Sequence, residues 1–338
     1  MSRFISILFI SALAFLTACT GYLVPTAESN HNMEDFEAAW KRVNVVYPYL
    51  EYKQIDWQSI YHEYKAKVEQ TSGDEIYEVL VEMLGELRDG HIYVRTDGGE
   101  YIPTYIPRRR IKNKYAFDPV VVSSYFEDEL HLTGEGTIGY GIIAGNIGYI
   151  YLGTFDDYYI FNDFPSALKY VRNTDALILD IRHNNGGSYR NLVAAVSPFI
   201  DSPLEKPEFY VLGELTPLEP FEPDGDFQYL NSTVVLINGV CYSSADIFPE
   251  IMKQIPTVTV VGDTTGGGSS GSTLSAPGEF ELPSGKRIYI GTTDWRAYDG
   301  LPLEWRGCAP DILVPQSKAD LENGHDKQLE YAIELLKK

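Results

Sequence analysis

Positive charge is scarce in this sequence of 338 residues. Lysine and arginine together number 27 against 48 aspartates and glutamates, so the formal net charge at pH 7 is −21. Nucleic-acid binding depends on clustered cations, and we therefore expect no nucleic-acid partner. The chain does contain a dense basic run, Arg108-Arg109-Arg110 with Lys112 and Lys114, and such a run is typical of a solvated loop.

Long apolar runs are also lacking, because no stretch after the N-terminal segment is long enough to cross a bilayer. Residues 1–18 combine a positive charge at Arg3 with a short apolar stretch, which is typical of a signal peptide. The segment Leu16-Thr17-Ala18-Cys19 resembles the bacterial lipobox and implies a lipid anchor on Cys19. Thr20 is not an acidic retention signal, which favours an outer-membrane lipoprotein that faces the periplasm. An ordinary signal peptide with a chance cysteine is the alternative.

Cysteine is rare as well, with three in the chain. If Cys19 is lipidated, Cys241 and Cys308 remain. In an oxidising compartment these two cysteines could form a disulfide. Two free buried thiols are the alternative.

The remaining chain divides into four segments. Residues 19–32 read as a linker, and residues 33–94 carry apolar side chains at helical spacing, which predicts a unit of three helices. Residues 95–145 are rich in glycine, proline and tyrosine with short strand-like runs such as Val120-Val121-Val122, which predicts an irregular β region. Strands and helices alternate over residues 146–338, so the predicted fold class is α/β with several parallel strands.

Two familiar site motifs, the P-loop and the nucleophile elbow, are excluded in this core. The glycine-rich loop 263–271 lacks a Gly-Lys-Ser/Thr sequence, so it is not a P-loop. Its segment Gly267 to Gly271 matches G-x-S-x-G, but no helical pattern follows, so it is not a nucleophile elbow. We predict neither a metal site nor a cofactor.

Ser243 and Ser244 lie where a strand leads into a helix. The β-branched run Thr233–Ile237 predicts a buried strand, Asn238-Gly239 breaks it, and a half-buried helical pattern follows the serines. At such a junction a serine hydroxyl is exposed, and the free amides of the first helical turn can stabilise an anion. Simple capping of the helix by the serines is the alternative.

His91 is the other candidate for chemistry. It follows Arg88-Asp89-Gly90, and Gly90 fits the position just after a helix C-terminus, so His91 is predicted on a fixed turn before the strand Ile92–Val94. Isolated histidines are more often structural or exposed. The other five receive that interpretation, and they are His31, His62, His131, His183 and His325.

Several stretches, in order along the chain, resemble the C-terminal-processing (tail-specific) serine peptidases. The stretches that carry the resemblance are LRDGHIYV (87–94), LDIRHNNGG (179–187), CYSSADIFPEI (241–251) and LEWRGCAPDILV (303–314), with IDWQSIYHEY (55–64) and VGDTTGGG (261–268) in support. The sequence is most similar to the tricorn-like branch, whose core is shared with retinoid-binding interphotoreceptor modules. The resemblance implies a small helical unit followed by a ClpP/crotonase-like α/β catalytic core.

The resemblance also implies residue roles. Ser243 matches the nucleophile, His91 the base and Glu304 the acid that orients the histidine, while the amides of Ser244 and of Gly186 or Gly187 match the oxyanion hole. These roles agree with the chemistry, because a serine hydroxyl needs an adjacent base and a tetrahedral oxyanion needs amide donors.

Two departures from the family pattern narrow the prediction. The loop Gly266-Gly267-Gly268 stands where a better-known branch has a lysine base, which leaves Ser–His–Glu chemistry. Residues 95–145 are too short and lack the pattern for the peptide-gripping PDZ domain that the family often inserts. The expected activity is cleavage of peptides or unstructured protein tails. A non-catalytic ligand- or peptide-binding module, or an esterase or acyl transferase, is the alternative.

Overall fold

The computed structural model describes residues 31–126, 128–133, 136–156 and 158–338. The predicted signal peptide and the lipidation site Cys19 lie outside these residues. Across the described ranges, no helix has the length and apolar character that a bilayer crossing needs. Residues 31–338 cluster as one unit.

The helices are α1 (Asn32–Val46), α2 (Trp57–Val68), α3 (Ile76–Gly85), α4 (Arg108–Asn113), α5 (Pro119–Ser123), α6 (Phe164–Val171), α7 (Tyr189–Val196), α8 (Ser244–Met252), α9 (Lys318–Glu322) and α10 (Lys327–Leu336).

Strands form three sheets. The strands are β1 (Tyr93–Arg95), β2 (Tyr101–Pro103), β3 (His131–Thr133), β4 (Ile138–Ile143), β5 (Ile147–Leu152), β6 (Ala176–Asp180), β7 (Phe209–Val211), β8 (Glu214–Leu215), β9 (Ser232–Ile237), β10 (Val258–Gly262), β11 (Glu279–Glu281), β12 (Arg287–Tyr289), β13 (Thr293–Trp295) and β14 (Ile312–Leu313). The largest sheet has seven strands in the order β14-β10-β9-β6-β5-β4-β3, and two smaller sheets have the orders β11-β12-β1-β2 and β13-β7-β8.

The seven-stranded sheet is the centre of the molecule and confirms the predicted α/β class. Strands β14, β10, β9, β6 and β5 run parallel, β4 is antiparallel to β5, and β3 is antiparallel to β4. Alternate residues of β9 face opposite sides: Val235 and Ile237 join one apolar core, and Val234 and Leu236 join another. Burial on both faces explains why this strand is a continuous apolar run rather than an alternating one.

The three predicted N-terminal helices are present, and they share a core with a distant hairpin. Helix α1 ends at Val46, just before Pro48, because proline cannot continue the helical hydrogen bonds. Leu282 and Ile288, in and beside strands β11 and β12, pack into the same apolar core as these helices. Strand β1 pairs with β12, so the segment that carries His91 is fastened to the C-terminal half of the chain.

Two predictions for residues 95–145 are wrong. Val120-Val121-Val122 lies in helix α5 rather than in a strand, because Asp118 accepts a hydrogen bond from the Val120 amide at 2.8 Å and Pro119 occupies the first helical position. The basic run is not a solvated loop, since Arg108 to Asn113 form helix α4. The last part of this segment, β3 and β4, extends the central sheet.

Replacing Arg182 with methionine is expected to lower the free energy of unfolding by roughly 3–5 kcal/mol. Arg182 is fully buried, and its guanidinium contacts Asp180 at 2.6 Å and Asp326 at 2.8 Å. The substitution would leave two buried carboxylates without their counter-charge. Urea unfolding measures the effect, and the exposed Arg172→Met serves as the control, with an expected change within about 0.5 kcal/mol. A loss below about 1 kcal/mol for the Arg182 variant would contradict this interpretation.

Candidate active site

Ser243 occupies a strained turn between strand β9 and helix α8. Its backbone has φ +60° and ψ −127°, a conformation that costs a non-glycine residue about 1–3 kcal/mol and that clusters at functional sites. The Ser243 amide donates to the Gly268 carbonyl at 2.8 Å, which holds the turn against the glycine loop. Ser243 makes no side-chain capping hydrogen bond to α8, and the Ser244 hydroxyl donates instead to the Gly187 carbonyl at 2.8 Å. Capping therefore does not account for the two serines.

The turn at Gly186-Gly187 lies directly against the serines. A Cβ on Gly186 would come within 2.7 Å of the Ser243 Cβ, and one on Gly187 within 2.4 Å of the Phe155 carbonyl oxygen. Both glycines also have positive φ, 93° and 145°, so glycine is required at each position. This contact brings the 179–187 stretch and the 241–251 stretch into one site.

The two glycine amides are not equivalent. The Gly186 N–H donates to the Asn184 side chain at 2.7 Å and is therefore occupied. Among the described residues, neither the Gly187 N–H nor the Ser244 N–H has a hydrogen-bond acceptor. These two amides are the donors free to bind an anion beside Ser243.

His91 lies beside this turn. Its ring stacks on Tyr242, the residue before Ser243, with the ring centroids 4.6 Å apart. The His91 backbone N–H donates to Asp89 Oδ1 at 2.8 Å, and the ring Nδ1 lies 3.6 Å from the same oxygen, which is too long for a hydrogen bond. Both ring nitrogens are buried and have no hydrogen-bond partner among the described residues, Ser243 included.

The turn that carries His91 differs from its prediction in detail. Helix α3 ends at Gly85, and the residue in the left-handed conformation is Arg88, with φ +48°. Gly90 is needed for another reason: a Cβ there would lie 2.7 Å from the Tyr242 hydroxyl and 2.9 Å from Pro107. The glycine therefore permits close approach of the His91 turn to the Tyr242 side chain.

Glu304 does not contact His91 by a hydrogen bond, although the sequence prediction made it the orienting acid. Its two carboxylate oxygens accept from the Lys53 Nζ at 2.8 Å and from the Ser269 amide at 3.1 Å. The carboxylate next to the His91 ring is Asp89. Glu304 is connected to that carboxylate indirectly, through Lys53 and a tyrosine.

Lys53 and Tyr47 complete a buried polar network that sequence reasoning missed. Lys53 Nζ donates to the Tyr47 hydroxyl at 2.8 Å, and that hydroxyl donates to Asp89 Oδ2 at 3.0 Å. Lys53 also donates to the Leu87 carbonyl at 2.9 Å. The position of Asp89 two residues before His91 is a signal that sequence reading could have used. Nothing local marks Lys53 or Tyr47, which come from the helical unit.

The buried cation of this network is Lys53. Burial raises the pKa of Asp89, but the His91 side chain and Lys53 outweigh that effect and hold it well below its usual range. Burial and the charge of Asp89 raise the pKa of Glu304, which Lys53 opposes. Lys53 thus stands between two buried carboxylates, and His91 feels the negative charge of both.

Asp246, three residues after Ser243, shapes the glycine loop. It accepts hydrogen bonds from the Thr265 hydroxyl and from the amides of Gly267 at 2.8 Å and Gly268 at 3.0 Å. Because the Gly268 carbonyl accepts a hydrogen bond from the Ser243 amide, Asp246 positions the Ser243 turn through the loop. Burial raises the pKa of Asp246 to about 6, and these hydrogen bonds only partly offset the effect.

Stability is expected to depend on pH through Asp246. Its pKa in the fold, about 6, exceeds the ordinary 3.8, so its stabilising contribution is complete below pH 3.8 and is lost as the pH rises through 6. Between pH 5 and pH 7.5 the free energy of unfolding of the native protein should fall by about 1–2 kcal/mol relative to that of Asp246→Asn. Chemical unfolding of both proteins across this pH range measures the difference. If the free energy of unfolding changes with pH in the same way for both proteins, the prediction is wrong.

Two open cavities border the loops around Ser243. One, of about 780 Å³, is lined by Gly266, Gly267 and Trp305 together with residues of the α3–β1 turn and the start of α4. The other, of about 550 Å³, includes Gly186 and Gly187.

Cys241 and Cys308 are free thiols, so the disulfide considered from the sequence is not formed. Each is buried, and the two sulfurs contact different backbone carbonyls, Ile181 at 3.2 Å and Ala309 at 3.6 Å. Burial raises the pKa of both thiols, which makes them unreactive. Within the described ranges, no group of three or more histidine, cysteine, aspartate or glutamate side chains is arranged to hold a metal ion.

A serine at a strained strand–helix turn, free amides beside it and a histidine against the same turn define a site of the serine-hydrolase class on an α/β core. The family model described as Peptidase family S41 matches residues 146–314, and the model described as Tricorn protease C1 domain matches residues 29–85. The chain therefore belongs to peptidase family S41, and the predicted relationship to tricorn-like and C-terminal-processing peptidases is confirmed.

Individual relatives agree with this assignment. The chain is 26% identical over 214 residues to the Tricorn protease of Thermoplasma acidophilum, covering 61% of this chain and 17% of that protein. It is 25% identical over 196 residues to a Carboxyl-terminal-processing protease of Synechocystis, covering 56% of this chain and 44% of that protein. The chain thus spans less than half the length of these relatives. A crystal structure of a candidate peptidase from Parabacteroides merdae superimposes with a TM-score of 0.77 at 26% identity, covering 90% of this chain and 96% of that one.

Proposed function

We propose that this protein is a serine-type peptidase that cleaves peptides or unstructured protein tails through an acyl-enzyme. The observation that carries the proposal is the turn at Ser243, where a strained serine, two unoccupied amides and His91 converge. Membership of peptidase family S41 supports it.

In the proposed reaction, Ser243 Oγ attacks the scissile carbonyl carbon while His91 accepts the hydroxyl proton. The carbonyl oxygen becomes an oxyanion, which the amides of Ser244 and Gly187 stabilise by hydrogen bonds. Collapse of this intermediate breaks the C–N bond, and His91 returns the proton to the leaving amine. Water then attacks the acyl-enzyme with the same base, which releases the carboxylate product and regenerates Ser243.

His91 must form a hydrogen bond to Ser243 for this sequence to begin. Catalytic hydrogen bonds are often absent before substrate binds and tighten in the Michaelis complex. We assign Asp89 to orient the ring and to stabilise the imidazolium, because its carboxylate faces Nδ1. Glu304 acts indirectly. Its carboxylate accepts a hydrogen bond from Lys53, Lys53 also donates to the Tyr47 hydroxyl, and that hydroxyl donates to Asp89.

The cellular setting is proposed from the sequence. Residues 1–18 would direct export, and lipid on Cys19 would fix the protein to the outer membrane, facing the periplasm. Peptides or unfolded proteins of the cell envelope would then be the substrates. Loss of the protein from the membrane fraction in cells that carry Cys19→Ser is the expected result. Unchanged fractionation would refute the lipid anchor.

The activity is tested by incubating the purified protein with unstructured polypeptides and reading new termini by mass spectrometry. A serine-directed fluorophosphonate probe should label Ser243 and stop the cleavage. Tight retention of a peptide without any new termini would favour the non-catalytic binding module. Turnover of simple esters with peptides left intact would favour an esterase.

A further inference from the structure

The side chain of Tyr242, the residue before Ser243, lies in a slot that three glycines form. A Cβ on Gly268 would overlap the Cζ of the Tyr242 ring, and one on Gly266 would lie 2.9 Å from its Cδ2. A Cβ on Gly90 would lie 2.7 Å from the hydroxyl. The tyrosine is 3% exposed. Backbone on two sides, from the glycine loop and from the turn before strand β1, therefore fixes the position of this ring.

The fixed ring presents its face to His91. The centroids of the two rings are 4.6 Å apart and their planes are inclined by 28°, which is a stacked arrangement. Neither ring nitrogen of His91 has a hydrogen-bond partner among the residues that the structure describes, and Asp89 Oδ1 lies 3.6 Å from Nδ1. The stack on Tyr242 therefore sets the plane of the imidazole, while both of its nitrogens stay available for hydrogen bonds.

The hydroxyl of Tyr242 does not account for this arrangement. It is buried and has no hydrogen-bond partner within the described ranges, and a buried polar group without a partner destabilises a fold. Burial raises the pKa of Tyr242 well above its usual range, so the phenol carries no charge at neutral pH. The neutral aromatic ring is thus the part of Tyr242 that acts on His91.

We infer that Tyr242 is a positioning residue for the proposed reaction: its ring holds the His91 imidazole and stabilises the imidazolium that forms when His91 accepts the Ser243 proton. The face of an aromatic ring is electrostatically negative and attracts a cation that lies over it. A neutral imidazole gains less from this contact than an imidazolium does, so the stack favours transfer of the proton from Ser243. The inference rests on the proposed peptidase function and adds to it an aromatic partner for the base.

Charged side chains surround the stack. The carboxylates that interact electrostatically with His91 are Asp89, Glu304 and Asp246, and the cations beside the network are Lys53 and Arg110. The carboxylates favour the imidazolium and the cations oppose it. The guanidinium of Arg110 lies 4.7 Å from the centre of the Tyr242 ring, so it competes for the same aromatic face or its opposite. A substitution of Tyr242 leaves all these charges in place, and its effect on His91 protonation therefore reports the aromatic ring.

Tyr242→Met replaces the ring with a flexible apolar side chain that can fill the slot. We expect the pH midpoint at which the His91 ring takes up a proton, followed by NMR, to fall by roughly 0.5–1 pH unit, because the imidazolium loses its aromatic partner. The kcat for peptide cleavage should fall roughly tenfold or more with little change in KM, and the acidic limb of kcat/KM should move to lower pH. The spectrum of His91→Gln identifies the His91 signal.

Tyr242→Phe is the conservative variant. It keeps the aromatic face and removes only the unpartnered hydroxyl, so it should restore the native midpoint and a kcat within about threefold of native. Tyr140→Met is the matched control: it removes a tyrosine whose ring centroid lies 5.2 Å from that of His131, and it should leave the His91 midpoint and peptide cleavage unchanged. A merely structural role of Tyr242 predicts instead a less stable Met variant with an unchanged His91 midpoint.

The native protein provides a test that needs no substitution. The ring protons of His91 should be shifted upfield by the ring current of the stacked tyrosine, and the absence of this shift would contradict the stack even if Tyr242→Met does not fold. An unchanged His91 midpoint in the Met variant, or a Phe variant as impaired as the Met variant, would also overturn the inference.

The midpoint is measured without turnover, which separates this inference from the proposed function. A lowered His91 midpoint in Tyr242→Met, together with no peptide cleavage by the native protein, would refute the peptidase function and keep the aromatic partner of His91. Peptide cleavage by the native protein with the same midpoint in both proteins would do the reverse.

Discussion

Replacing Ser243 with alanine is expected to lower kcat for peptide cleavage by at least about a thousandfold. The substitution removes the hydroxyl that forms the acyl-enzyme, while the fold and the amides of Ser244 and Gly187 stay in place. Residual cleavage would then come from oxyanion stabilisation and binding alone. Initial rates on an unstructured peptide, followed by mass spectrometry, measure the loss. Thermal unfolding should show a stable protein, because alanine removes one oxygen at a half-buried position.

Ser244→Ala is the matched control for this prediction. Ser244 lies next to Ser243 and loses the same atom, but its proposed part is played by its backbone amide, which the substitution keeps. Its hydroxyl donates to the Gly187 carbonyl at 2.8 Å, so losing it should loosen the oxyanion donors and lower kcat by about tenfold at most. An equal loss in the two variants would show that the nucleophile has been assigned to the wrong residue.

Asp89→Asn is expected to lower kcat by about a hundredfold to ten-thousandfold with little change in KM. The amide cannot stabilise the imidazolium that forms when His91 accepts the Ser243 proton, and it can present an N–H where the ring Nδ1–H needs an acceptor. The backbone contact at 2.8 Å would hold the residue in place. The pH profile of kcat is the second measurement, because losing the carboxylate beside His91 should shift its acidic limb to lower pH.

Glu304→Gln distinguishes the two carboxylates. A glutamine keeps one oxygen acceptor, so either Lys53 or the Ser269 amide loses its partner while Asp89 stays beside the ring. We therefore expect a drop of about tenfold, clearly smaller than for Asp89→Asn. If Glu304→Gln is the more severe variant and Asp89→Asn is mild, Glu304 is the orienting acid that the sequence resemblance implies.

Local sequence signals were sufficient for the elements that carry the chemistry. The strand at Thr233–Ile237 and the helix after Ser244 follow from a buried β-branched run, a glycine break and a half-buried helical pattern. Gly186-Gly187 could be placed near the serine by the family order of the stretches. Which amide is free could not be predicted, because that depends on the Asn184 side chain occupying the Gly186 amide.

The sequence alone determined the α/β class and the three N-terminal helices, because each depends on short-range periodicity, and the family resemblance of its stretches paired Ser243 with His91 as candidates. Tertiary structure alone decided what surrounds them. Lys53 meets Glu304 across 251 residues, and Arg109 meets Trp305 across 196, so no local pattern records these contacts. Tertiary packing likewise places the Cys241 and Cys308 sulfurs against different backbone carbonyls. Buried charge networks arise from how distant segments pack, and that packing places Asp89, rather than Glu304, beside the His91 ring.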